Sequence, residues 1–212
     1  MWRFRVVGIT GATAVAADKT GADFCALLST GRLDCWGYNG YGELGNGAKT
    51  QSDVPVPVNN ITTATAVIGG DFGFCARLSS GHVDCWGHNG SGQLGNGTIT
   101  DSDVPVAVHG IGTAATLSSG WNSFCARLST GHLDCWGNNG YGQLGNGPMT
   151  DSNAPVAVTG ISTAATLTYG NDSLCALLST SQMDCWGHNA TGQLWNGTTT
   201  DSDVPVAVLA AS

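Results

Sequence analysis

Residues 25–47 read CALLSTGRLDCWGYNGYGELGNG. Two short alternating runs flank Ser29, Thr30 and Gly31, the pattern of two strands joined by a three-residue loop that closes on a glycine with positive φ. Such a loop sets Leu28 opposite Arg32. Counting outward then sets Cys25 opposite Cys35. Directly opposed residues of an antiparallel pair lie about 4.5–5.5 Å apart at Cα, within the range a disulfide accepts.

The same stretch returns at 75–97 and 125–147, and in altered form at 175–197. Cysteines stand at 25 and 35, 75 and 85, 125 and 135, 175 and 185, a pair every fifty residues. Pro55, Pro105, Pro155 and Pro205 keep that step, as do Trp36, Trp86, Trp136 and Trp186, each followed by glycine. Four units, approximately 8–58, 59–108, 109–158 and 159–208, fill a single repeat domain over residues 1–212. Repetition at this length is the mark of repeat architectures.

Within each unit the apolar pattern is that of strands. In the second, TATAVIGG, FCARLSS, GHVDCWG and DVPVAV are runs of four to eight residues bounded by Gly, Ser, Asn or Asp. No sustained period of 3.6 appears. Proline cannot donate a ladder hydrogen bond, so the fourth run is expected at a sheet edge. The predicted class is all-β: four blades of four antiparallel strands, forming a partial or open β-propeller.

Composition narrows function. Charged residues make up 10% of the 212 and glycine contributes 32, yet 42% hydrophobic content with seven tryptophans requires a core. The net charge is −8, with two scattered lysines and five arginines. Phosphate backbones and anionic membrane surfaces are therefore poor partners. No run approaches 18 apolar residues, so no helix is expected to span a membrane.

For the cysteines three readings compete. A bridge across every hairpin (Cys25–Cys35, Cys75–Cys85, Cys125–Cys135, Cys175–Cys185) would place the chain in an oxidising compartment. Buried reduced thiols are the second reading. Zinc is the third, because Cys75, His82, Cys85 and His88 have suitable donor types, but the first unit keeps its cysteines while carrying Arg32 and Tyr38 at the histidine positions.

Together, the Trp-Gly step, the Asn three residues after the Trp and the Gly-Gln-Leu-Gly turn resemble repeats of the regulator of chromosome condensation family, in its cysteine-paired bacterial variety. The resemblance implies propeller blades, usually seven to a ring, with Trp, Asn and the glycine-rich turn building the blade. Through the family's best-known member it also implies guanine-nucleotide exchange on a small GTPase. Every unit here has equal length and no inserted wedge for such a role. The fourth unit departs most, with Ser181, Ala190 and Trp195 where glycine stands elsewhere. Atypical terminal repeats are expected of such arrays.

The N-terminal stretch VVGITGATAVAAD aligns with AVTGISTAATLTY of the last unit and is read as a first strand rather than a secretory signal. Residues 5–7 read as the tail of a preceding fourth strand.

No Ser, His and Asp grouping stands apart from the repeat, and Asp34, Asp84, Asp134 and Asp184 recur in every unit, as does the position of Glu43. No enzyme, cofactor or metal is expected. The acids Asp53, Asp101, Asp103, Asp151, Asp201 and Asp203 lack the glycine and glutamate of a calcium loop and read as solvated turn acids. Binding is assigned instead to the turns that vary between first and second strands: Asp71 and Phe72, Trp121 and Asn122, Asn171 and Asp172. The expected function is a non-enzymatic interaction scaffold, outside the cell or at its surface, taking a protein or glycan partner, with self-association to complete the propeller. Exchange-factor activity is the alternative.

Overall fold

A computed structural model describes residues 8–209. Sixteen strands fall into four sheets, each an up-and-down meander in chain order. Blade 1 holds β1 (Ala12–Ala17), β2 (Asp23–Leu28), β3 (Leu33–Gly37) and β4 (Ser52–Pro57). Blade 2 holds β5 (Ala64–Gly69), β6 (Gly73–Leu78), β7 (Val83–Gly87) and β8 (Ser102–Ala107). Blade 3 holds β9 (Ala114–Ser119), β10 (Ser123–Leu128), β11 (Leu133–Gly137) and β12 (Ser152–Ala157). Blade 4 holds β13 (Ala164–Tyr169), β14 (Ser173–Leu178), β15 (Met183–Gly187) and β16 (Ser202–Ala207).

The hairpin reading holds. Leu28 N–H donates to Arg32 O at 2.9 Å, Gly31 has φ +79°, and Cys25 pairs with Cys35 in register. All eight cysteines are joined, each pair within its own hairpin, at Cα separations of 4.0–4.1 Å. The thiol and zinc readings are thereby overturned: opposed register brings each sulfur to its partner before any histidine can reach it. The proline-bearing strands lie at sheet edges. The N-terminal alignment holds for β1, while residues 5–7 lie outside the described residues.

No blade buries a core by itself. The apolar residues cluster between blades, in three groups that join blade 1 to 2, 2 to 3 and 3 to 4. In the first, Cys25, Leu27, Leu33, Cys35, Leu44 and Val58 of blade 1 meet Ile61, Ala64, Val67, Phe74, Ala76 and Trp86 of blade 2. The disulfides of blades 1, 2 and 3 therefore face the next blade. Among the described residues no such cluster joins blade 4 back to blade 1, so the four blades form an open arc.

Two contacts lock each junction. The Trp86 indole N–H donates to Glu43 O at 2.7 Å, Trp136 to Gln93 O at 2.9 Å and Trp186 to Gln143 O at 3.0 Å. Meanwhile Ala64, Ala114 and Ala164 donate from their backbone N–H to Gly31, Gly81 and Gly131 O, each at 2.9 Å. Both contacts require glycine in the accepting blade. A β-carbon at Gly45 would lie 2.9 Å from the Trp86 indole, and one at Gly31 would lie 2.7 Å from Thr62 O. Positive φ at both residues favours glycine independently.

The asparagine after each tryptophan organises the long loop between third and fourth strands. Asn39 is fully buried, donates to Ala48 O and Thr50 O, and accepts from Leu44 N–H. Asn89, Asn139 and Asn189 repeat the pattern. Asp101, Asp151 and Asp201 were expected to be solvated turn acids. Asp151 is exposed and the other two are half-buried, and all three also accept the Asn89, Asn139 and Asn189 backbone N–H at 2.7–2.8 Å, closing these loops.

Candidate functional site

The turns between first and second strands lie in a row along one end of the arc, bound to one another across blades. Lys19 N–H donates to Gly70 O, Asp71 N–H to Trp121 O, and the Trp121 indole N–H to Asn171 Oδ1 at 3.4 Å. Three of the six residues singled out from sequence, Asp71, Trp121 and Asn171, are joined here by hydrogen bonds, and Phe72, Asn122 and Asp172 are their chain neighbours. Asn122 Oδ1 accepts from Gln93 Nε2 at 3.1 Å. Asp172 follows Asn171, and its backbone carbonyl accepts His188 N–H.

Trp121 is 42% exposed although the strand that follows it is well packed. Phe72 takes φ +52° and turns its ring onto Tyr38 and Tyr41, with centroids 6.2 and 5.4 Å away. Tyr41 in turn packs on His88 at 4.7 Å. Tyr38, Tyr41 and His88 were not assigned by sequence reasoning, because each lies in the loop after a third strand rather than in the variable turns. Tyr141 on His188, at 4.6 Å, repeats the contact between blades 3 and 4.

Beneath the aromatic group lie four acids from two blades: Asp18, Asp23, Glu43 and Asp71. Asp23 and Glu43 are fully buried. No donor reaches either Asp23 carboxylate oxygen, Glu43 Oε1 or Asp71 Oδ1. Burial first, then the neighbouring carboxylate charges of Asp18, Glu43 and Asp71, push the Asp23 carboxyl up to about 9. Burial also raises Glu43 and Asp71. Burial acts the same way on Asp18, but hydrogen bonds from the Thr20 hydroxyl and from the Thr20 and Ala22 backbone N–H outweigh it and hold that carboxyl below its usual value. The chain thus carries Asp23 as the neutral acid at pH 7.

Sequence reasoning placed Glu43 as an ordinary blade position. Its Oε2 does accept Tyr41 N–H at 2.9 Å, as Gln93 and Gln143 Oε1 accept the N–H of Ser91 and Tyr141. What it missed is that a carboxylate there buries an oxygen an amide NH₂ would have satisfied. The available signal was the break in repetition: Asp23 stands where the other units have Gly73, Ser123 and Ser173, and Glu43 where they have glutamine. No group of His, Cys, Asp and Glu among the described residues is arranged to hold a metal ion.

The model of the regulator of chromosome condensation (RCC1) repeat matches residues 30–76, 80–126 and 130–177, and a second model of the same repeat matches 115–143. The chain belongs to the RCC1-repeat family. Each matched segment runs from the hairpin turn of one blade into the second strand of the next, so the family's sequence unit spans a junction. It contains both the Leu33, Leu44 and Val58 face and the Ile61, Val67 and Phe74 face of the first cluster.

Among solved structures, this RCC1-repeat chain resembles human WBSCR16 with TM-score 0.79 and 23% identity, over 94% of this chain and 53% of that one. It resembles yeast RCC1 (Prp20), bound to Kap60, with TM-score 0.83 and 16% identity, over 98% and 51%. The chain therefore spans about half the length of these two structures. A computationally designed protein, Ika4, aligns at TM-score 0.54 and 12% identity, over 88% of this chain and 99% of that one. At these identities the likeness establishes the fold. No curated protein sequence matches the chain.

Proposed function

We propose that this RCC1-repeat chain is a non-enzymatic interaction scaffold that works outside the cell or at its surface and binds a protein through the row of turns bearing Phe72, Trp121 and Asn171. The observation that carries this reading is the exposed Trp121 indole at the centre of a row of aromatic, amide and carboxylate side chains held by hydrogen bonds across blades. A rigid, partly apolar surface with polar edges is the anatomy of a protein-binding site. Asp71, Asp172 and a net charge of −8 favour a partner that presents lysine or arginine beside an apolar side chain. Four intrachain disulfides fit an oxidising environment, which supports the external location.

Selection of displayed peptides on the oxidised chain tests this. Enriched sequences should be basic and apolar and should bind the Trp121→Ala, Phe72→Ala variant at least about tenfold more weakly, a loss of roughly 1.4 kcal/mol. Equal binding to that variant, or enrichment of a glycan panel over the peptides, would refute a protein-binding row.

Guanine-nucleotide exchange is the second reading, supported by the shared fold of Prp20p from Saccharomyces cerevisiae, whose structure was described together with its binding to Gsp1p and histones. The turn between first and second strands is five residues long in blade 1 and three in the other blades, and no unit carries an inserted wedge, which weighs against it. Acceleration of nucleotide release from a small GTPase would favour exchange over the scaffold.

A further inference from the structure

The arc has two uncovered end faces, and they are not equivalent. Blade 1 ends in the face that blades 2, 3 and 4 each insert into the blade before them. Its Val15 is 67% exposed where the equivalent Val67 is 9%, and its Phe24 and Trp36, stacked at 5.9 Å, are only half-buried where Phe74 and Trp86 are sealed. A hollow of about 320 Å³ opens beside Tyr38, Ser52 and Asp53, at the equivalent of the Asp103, Asn153 and Asp203 positions that receive the preceding blade's loop.

Blade 4 ends in the opposite, accepting face. There a hollow of about 430 Å³ is lined by Ser181, Met183, Val208 and Leu209. Met183 is 43% exposed although Leu33, Val83 and Leu133 are sealed by the blade that follows each. Yet this face lacks both glycines the junction requires. Ser181 stands at the Gly31 position with φ +67°, and Trp195 stands at the Gly45 position with φ +49° and 65% exposure. The backbone of the lock survives: Trp195 N–H donates to Gly192 O, and Leu209 N–H to Trp195 O, as Gly45 and Asn59 do. The side chains occupy the place of an incoming blade. At Gly95 and Gly145 a β-carbon alone would come within 2.8 and 2.7 Å of the inserted indole, and at Gly81 and Gly131 within 2.7 and 2.9 Å of the next blade's backbone oxygen. Contacts that close force one side to move.

We infer that the array is polar: blade 1's face docks a further blade of this repeat type bearing glycine at the two contact positions, whereas Ser181 and Trp195 close blade 4 to the same docking. Copies of this chain consequently refuse to join head to tail, and the self-association expected from the sequence does not occur through this face. The three internal junctions supply the complementary surface, and the doubled length of the RCC1-fold structures supplies the setting in which further blades exist.

The test is the association state of the oxidised full chain, followed by sedimentation across concentration. The parent chain should remain monomeric. The variant Ser181→Gly, Trp195→Gly should associate at least about tenfold more tightly, and adding Trp36→Ala should return it to monomer. Association of the parent equal to that of the glycine variant overturns the inference, as does association indifferent to Trp36. Should the glycine variant fail to fold, a copy of residues 59–108, which keeps Gly81 and Gly95, is fused ahead of residue 9 or behind residue 208. In the leading fusion Trp36 should become protected from acrylamide quenching, whereas in the trailing fusion the copy's own Trp86 should stay accessible, each read against the fusion in which that tryptophan is replaced by Phe. An accessible Trp36 in the first, or a protected copy tryptophan in the second, also overturns it.

Discussion

The junction between blades 1 and 2 and the junction between blades 3 and 4 share one backbone and differ at one end. Trp86 and Trp186 insert alike, and Ala64 and Ala164 donate to Gly31 and Gly131 at the same 2.9 Å. At the turn end, however, the first junction buries Asp18, Asp23 and Glu43 against Asp71, with oxygens that no donor reaches. The third carries Gly120, Ser123 and Gln143 against Asn171, and its buried polar atoms are paired. Tyr169 O–H donates to Ser123 Oγ at 3.1 Å, and Gln143 Nε2 donates to Asn138 Oδ1 at 2.7 Å. The apolar half of a junction holds the blades, which leaves the turn end free to take groups that oppose folding. A buried acid left without a partner costs the desolvation of its oxygens, which the acid meets most cheaply by keeping its proton.

The comparison is broken most severely if the shared half proves unequal. Trp86→Ala and Trp186→Ala should each destabilise by about 3–5 kcal/mol, as large core truncations do. Trp36→Ala, which empties no junction within the arc, should cost well under half as much. Urea unfolding of the three variants checks this, and a large difference between the first two would show that the locks are not equivalent.

The differing half is sharpened by pH. A carboxyl raised to about 9 in the folded chain binds a proton that the unfolded chain releases near its ordinary value of about 3.9. Stability from this group is complete below pH ~4 and is lost as pH rises through the folded value near 9. Asp23→Ser, which copies the third junction, should flatten that slope and raise stability at pH 8 by at least about 1 kcal/mol. An unchanged slope in the variant would remove Asp23 as its cause.

The smallest effect belongs to the third junction. Burial pushes the Tyr169 hydroxyl up, so it stays protonated and serves as a donor. Tyr169→Phe should cost about 1 kcal/mol, independent of pH from 5 to 9, in the same unfolding assay.

Much of this architecture was legible because position and partner recur together. Cys25 and Cys35 are ten residues apart across a loop whose glycine sets the register, so pairing followed from counting. Edge placement of β4, β8, β12 and β16 followed from proline. The junctions were harder. Trp86 and Gly45 recur in step with everything else, and repetition cannot say that the partner of one unit's tryptophan lies 41 residues earlier in another blade. The acidic group was visible only as departures at 23 and 43, whose convergence with Asp71 depends on how neighbouring sheets face each other. Trp195 read as decay of a terminal repeat, and only the indole seated over Gly45, Gly95 and Gly145 gives that substitution a meaning.

Every sulfur link lies inside a single hairpin, so nothing covalent but the main chain runs from leaf to leaf. Under a pulling force the leaves would detach in succession, and each would stay knotted at its middle. With ten residues of every fifty held short by the link, a detached leaf would yield roughly 40 residues of length, about 130–145 Å at full extension. A reducing agent would lengthen each step without changing the order in which they come.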